Sequence, residues 1–88
     1  MINIKIYSTS WCAPCAAAKR LFDDKNLTYE EIDIEKNNIT REDLSSITGR
    51  GHTVPQIIIG EKCIGGYTEL LAINQSGELD RMLLNENW

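Results

Sequence analysis

Apolar residues recur with two different periods along the 88-residue chain, and each change of period marks an element. Ile2, Ile4 and Ile6 alternate with Asn3, Lys5 and Tyr7, which is the period of a strand. Ser8, Thr9 and Ser10 form a polar loop that supplies helix-capping groups. Pro14 suits the first turn of the helix that follows, where a missing N–H costs nothing. The run from Ala16 to Phe22 holds mostly strong helix formers, and this helix is expected to end near Asn26. Residues 29–34 read as a second strand. Strand, helix and strand make a βαβ unit, which crosses over right-handed in nearly all proteins.

A polar, acidic loop is expected over residues 35–39. Thr40 with Asp43 three residues on stands in the position of a capping box. Leu44 and Ile47 give one apolar edge of a short helix that Gly49 and Gly51 end. Gln56–Ile59 is a short apolar strand, Gly60, Glu61 and Lys62 make a tight turn, and Cys63 and Ile64 return as a fourth strand. Gly65 and Gly66 break that strand. Thr68 is the expected cap of a last helical region carrying Leu70, Leu71 and Ile73, then Leu79, Met82 and Leu83, with Gly77 dividing it. The order β-α-β-α-β-β-α predicts an α/β fold, a four-stranded mixed sheet flanked by helices.

Composition narrows the function. The length allows a single domain over residues 1–88 with a thin core, since a chain this short buries only about 60% of its unfolded surface. A chain 42% hydrophobic and 25% charged is ordinary globular material, which excludes a disordered tail. Thirteen acids against nine bases give a net charge of −4, which argues against a nucleic-acid partner. No apolar run approaches a membrane span. Met1 opens directly into a strand pattern rather than a basic, apolar leader, so the expected location is the reducing cytoplasm. Three cysteines cannot form a fully paired framework, and two close ones in that compartment are redox-active or metal-binding more often than structural.

The strongest chemical signal is Cys12-Ala13-Pro14-Cys15, a C-x-x-C directly after a strand and opening a helix. The spacing puts both sulfurs on one helical turn, within disulfide reach. Unpaired N–H groups and the positive end of the helix dipole favour a thiolate at Cys12. A thiol made more acidic in this way is a nucleophile near neutral pH. Cys12 would attack a disulfide, and Cys15 would close the intramolecular disulfide and release the product. Two other readings stand beside this one. Half of a zinc site would need His52 and Cys63, which lack the usual paired spacing, and a purely structural disulfide is rare in that compartment. Thr53-Val54-Pro55 precedes the third strand, and on sequence physics alone a trans proline at a strand start is favoured.

Ile6-Tyr7-Ser8, Trp11-Cys12-x-x-Cys15, Thr53-Val54-Pro55-Gln56-Ile57-Ile58-Ile59 and Ile64-Gly65-Gly66 together resemble a glutaredoxin, in that family's order and over nearly the whole chain. The resemblance implies the thioredoxin fold and a glutathione-linked thiol–disulfide oxidoreductase that needs no cofactor beyond glutathione as reductant. It implies a cis Val54–Pro55 bond, with the Val54 backbone pairing with glutathione like an added strand. Trp11, Thr53, Val54, Pro55, Gly66, Tyr67 and Thr68 are the implied glutathione-binding residues, and a carboxylate suits the helix N-terminus after Gly66. The implied partners are glutathione and disulfide-containing or glutathionylated proteins, acted on by a monomer.

The sequence also departs from that pattern. Ala13-Pro14 stands where Pro-Tyr is common, and Trp-Cys-Ala-Pro-Cys resembles the thioredoxin motif. Thr9 stands where many relatives carry lysine, and Thr68 where many carry aspartate. Without that lysine, Cys12 is expected to be less acidic than in typical members. Arg41 and Arg50 are candidate partners for a glutathione carboxylate. Cys63 is expected to be a buried inert thiol, His52 a solvated loop residue beside the substrate groove, and Trp11 an exposed packing residue beside the dithiol. The reading is a dithiol glutaredoxin with Cys12 and Cys15 as catalytic pair. Alternatives are a relative served by thioredoxin reductase, and a dimer bridging a [2Fe–2S] cluster as an iron–sulfur carrier.

Overall fold

The computed structural model describes residues 3–49, 51 and 53–84. The elements follow in the order β1 (Ile4–Ser8), α1 (Ala13–Asp24), β2 (Glu30–Asp33), α2 (Arg41–Thr48), β3 (Gln56–Ile59), β4 (Lys62–Gly65), α3 (Tyr67–Ser76) and α4 (Glu78–Leu84). The strands form one mixed sheet in the order β2-β1-β3-β4. β1 runs parallel to β2 and antiparallel to β3, and β3 and β4 form an antiparallel hairpin. This is the expected four-stranded fold, with the last helical region split at Gly77, whose φ of 84° ends α3 in the left-handed region.

Helices cover both faces, so the strand alternation sorts side chains between two cores. Ile4, Ile6, Ile57, Ile59 and Ile64 pack with Ala18 and Phe22 of α1, Leu70 of α3 and Leu79 of α4. Tyr7 and Ile34 pack with Leu44 of α2 on the other face. Tyr7 sits in the polar phase of the β1 pattern and is nonetheless buried, because α2 removes the second face from water.

Local signals explain most boundaries. Thr40 and Asp43 make the expected capping box: Asp43 N–H donates to Thr40 Oγ1 at 3.0 Å and Thr40 N–H to Asp43 Oδ2 at 3.1 Å. α1 ends at Asp24, two residues before Asn26, which takes a left-handed φ of 58° that asparagine tolerates. Ile47, expected on the apolar edge of α2, is 48% exposed; Thr48, one turn after Leu44, occupies the buried face. The expected cap at Thr68 is also displaced. α3 begins at Tyr67 with Gly66 as its N-cap, because the Glu69 carboxylate reaches back and accepts from the Gly66 N–H at 2.8 Å. Thr68 is an exposed second residue of that helix.

Candidate active site

β1 ends at Ser8 beneath a network that anchors the following loop. Glu31 Oε2 accepts from Ser8 Oγ at 2.8 Å and from Lys19 Nζ at 2.7 Å, tying β1, β2 and α1 together. The Lys19 and Ser8 hydrogen bonds hold the Glu31 carboxyl below its ordinary titration range. The chain then turns through Thr9, whose carbonyl accepts from the Cys12 N–H at 3.4 Å. Thr9 is 3% exposed, and its hydroxyl has no hydrogen-bond partner among the described residues.

That turn delivers Cys12 to the N-cap of α1, with extended φ and ψ of −91° and 111°. Ala13 and Pro14 occupy the first two helical positions, where α1 has orphan N–H groups to spare. Cys15 follows one turn in. Its N–H points at the Cys12 sulfur at 3.2 Å, the capping role usually taken by an oxygen. The two cysteines are joined as a disulfide with Cα atoms 5.2 Å apart. Cys15 is fully buried and Cys12 is 8% exposed, so Cys12 is the member that meets solvent. The same backbone donor would favour a Cys12 thiolate in the reduced protein.

The loop before β3 faces this helix end. Val54–Pro55 is cis, which overturns the trans bond favoured on sequence physics alone and agrees with the bond that the resemblance implies. The Val54 carbonyl oxygen lies 3.7 Å from the Cys12 sulfur. Pro55 is buried, and a Cβ added at Gly66 would come within 3.5 Å of the Pro55 carbonyl. Gly65 has a φ of 113°, and a Cβ there would meet the Glu69 carboxylate at 3.2 Å. The two glycines therefore leave room for the Glu69 carboxylate to fold back over the β4–α3 corner.

Cys12, Cys15, Val54, Pro55 and Gly66 thus converge. The other expected residues distribute around them. Trp11 is 62% exposed, and its indole N–H points at Glu35 Oε2 at 3.3 Å. Tyr67 is half-buried against the core cluster and lines a depression of about 350 Å³ between α1 and α3 with Arg20 and Leu21, away from the disulfide. Thr53 and Thr68 are exposed, and Arg41 opens α2. Cys63 departs from the buried thiol expected: it is half-buried, because β4 is an edge strand, and its sulfur lies 3.8 Å from Gln56 Oε1. Arg50 and His52 lie outside the described residues. Sequence reasoning missed Glu35, Gln56 and Glu69. Glu69 was open to detection as the third residue after Gly66, the spacing of a capping acid.

A thioredoxin-type sheet presenting a helix-capping cysteine pair to a cis-proline loop defines the class of dithiol oxidoreductases. A profile described as Glutaredoxin matches residues 4–64. Glutaredoxin 3 of Escherichia coli (strain K12) is 39% identical over 83 residues, spanning 94% of this chain and 99% of that protein. The crystal structure of a buckwheat glutaredoxin–glutathione complex superposes with a TM-score of 0.83 at 29% identity, covering 94% of this chain and 77% of that one. The solution structure of glutaredoxin from Brucella melitensis gives 0.79 at 36% identity, covering 94% and 89%. The chain belongs to the glutaredoxin family, whose members are thiol–disulfide oxidoreductases.

Proposed function

We propose that this chain reduces glutathione mixed disulfides and protein disulfides with electrons from glutathione, Cys12 being the nucleophile and Cys15 the resolving thiol. The supporting observation is the Cys12 sulfur at the mouth of α1, bonded to buried Cys15 and 3.7 Å from the Val54 carbonyl. On a glutathionylated substrate, the Cys12 thiolate attacks the glutathione sulfur and expels the substrate thiolate. Free glutathione then attacks the Cys12-bound sulfur, giving glutathione disulfide and restoring the Cys12 thiolate. On a protein disulfide, Cys12 forms a mixed disulfide and releases one substrate thiolate. The Cys15 thiolate then attacks the Cys12 sulfur, releases the second, and leaves Cys12–Cys15 for two glutathiones to reduce. No prosthetic group takes part.

In this reading glutathione lies along Val54 with Thr53 and Pro55, its γ-glutamyl end at Gly66, Tyr67 and Thr68, and Trp11 covering the cleft. Arg41 and Arg50 are the candidate partners of its other carboxylate. The Val54 backbone offers strand-like pairing and the N-terminus of α3 suits a carboxylate. The buckwheat complex shows a relative of this fold with glutathione bound. The protein works as a cytoplasmic monomer; among the described residues no helix is long and apolar enough to cross a membrane.

A second reading, reduction by thioredoxin reductase, draws on Trp11, exposed directly before the Cys-Ala-Pro-Cys run. Paired coupled assays decide between them. Turnover is expected with NADPH, glutathione and glutathione reductase; turnover confined to NADPH and thioredoxin reductase overturns the glutathione reading.

A further inference from the structure

Gln56 opens β3 opposite Tyr7, so its side chain lies on the α2 face of the sheet. It is 4% exposed. A primary amide buried there costs free energy unless its donors and acceptor are matched. They are matched on two separate elements. Nε2 donates to the Thr53 carbonyl oxygen at 2.9 Å and lies 3.4 Å from Thr53 Oγ1. Oε1 accepts from the Cys63 thiol on β4, with the sulfur 3.8 Å away. A bulge between Ile57 and Ile58 sets the register that pairs Cys63 with Ile58, two residues along from Gln56 on the same face. The amide also lies close to Gly51, where an added Cβ would meet Nε2 at 3.9 Å.

These partners select one orientation of the amide. Turned over, its oxygen would face the Thr53 carbonyl oxygen and its NH2 group the sulfur. A thiol as donor on one side and a carbonyl as acceptor on the other therefore hold it in register. The bond from residue 56 back to residue 53 closes a ring around Val54 and Pro55. Val54 is the residue whose carbonyl stands 3.7 Å from the Cys12 sulfur.

We propose that the Gln56 carboxamide, held by Cys63, is a positioning residue for the glutathione cleft: it pins Thr53 and so sets the Val54 backbone against the Cys12 sulfur. The inference rests on the glutathione reading above. Gln56 touches no reacting atom, so its loss weakens alignment of the bound tripeptide and leaves the sulfur chemistry in place.

The test replaces Gln56 with methionine, which keeps the length and removes the polar atoms. The KM for a glutathione mixed disulfide is expected to rise about five- to tenfold, as for one lost hydrogen bond, with kcat within about twofold of wild type. A second readout needs no glutathione. The Val54 carbonyl oxygen opposes negative charge on Cys12, so its displacement lowers the midpoint of Cys12 alkylation against pH by about half a unit. A second pair of variants guards against misfolding of the first. Cys63→Ser keeps a donor and should behave as wild type, whereas Cys63→Val should raise KM in the direction of Gln56→Met. Unchanged KM and unchanged Cys12 titration in Gln56→Met overturn the proposal, as does equal behaviour of Cys63→Ser and Cys63→Val. If wild type shows no saturation by the glutathione mixed disulfide, the glutathione reading fails separately. The Cys12 titration then decides the positioning role, and identical midpoints in wild type and Gln56→Met overturn it.

Discussion

The Cys12 sulfur lies 3.7 Å from the carbonyl oxygen of Val54, a residue 42 positions further along the chain. One group belongs to a helix cap and the other to the loop ahead of β3. Their juxtaposition depends on β1 and β3 being neighbours in the sheet, since each strand delivers one of the two loops to the same end. Cys15, one turn into α1, is fully buried and bonded to Cys12.

Under the proposed mechanism, that asymmetry predicts different roles for the two cysteines. Cys12→Ser should abolish all turnover. Cys15→Ser should retain glutathione mixed-disulfide reduction and lose most protein-disulfide reduction, because glutathione can serve as the second thiol in the first reaction only. Parallel assays on a glutathionylated peptide and an intact disulfide substrate check this, and equal loss in both reactions contradicts the assignment.

Thr9 stands three residues before Cys12 and carries no charge to stabilise a thiolate. Alkylation of reduced protein against pH should place Cys12 well above the low end of the range for helix-capping cysteines, about 3.5 to 7.5. Thr9→Lys should lower the midpoint. A wild-type midpoint near about 4, at the acidic end of that range, contradicts the prediction.

The Thr9 hydroxyl is buried without a partner among the described residues. Thr9→Val keeps the shape and removes the desolvated group, so it should stabilise the fold by about 1 kcal/mol. Urea denaturation measures this; a destabilised variant would mean that the hydroxyl is satisfied in solution.

Glu31 titrates below its ordinary range, held there first by Lys19 and then by Ser8. A carboxyl with a lowered folded value stabilises the protein fully above its unfolded value, and that contribution is lost as pH falls through the folded value. Stability should therefore drop on acidification below about pH 4.3, the unfolded glutamate value, and less so in Glu31→Gln. The Glu31 side chain is 40% exposed, so the pair is worth at most about 1 kcal/mol. Melting temperatures of both proteins across the acid range test the difference.

The capping group of α3 is Glu69, with Gly66 at the N-cap. Glu69→Ala should cost about 1 kcal/mol by removing the bond to the Gly66 N–H, while Thr68→Ala should leave stability nearly unchanged. Equal costs in chemical denaturation would restore Thr68 as the cap.

Much of this protein is written locally. The alternation of Ile4 and Ile6, the capping pair Thr40 and Asp43, the glycine stops at Gly49 and Gly77, and the Cys12-x-x-Cys15 spacing each depend on residues within one or two turns of each other. Such signals survive in the sequence because the forces behind them act over a few bonds. The paired cysteines at a helix start were therefore legible, and so was the odd third cysteine as a residue apart.

What the tertiary structure decided lies between segments. The burial of Tyr7 needed α2 on the second face, the exposure of Ile47 needed the angle at which α2 packs, and the half-exposure of Cys63 needed β4 at the sheet edge. The carboxamide of Gln56, a polar residue in an apolar strand, found its partners on Thr53 and Cys63 only once the bulged hairpin and the cis-proline loop were in place. Local chemistry named the reacting sulfurs, and long-range packing supplied the backbone that faces them, because a sheet's neighbours are chosen by burial on both faces rather than by proximity in the chain.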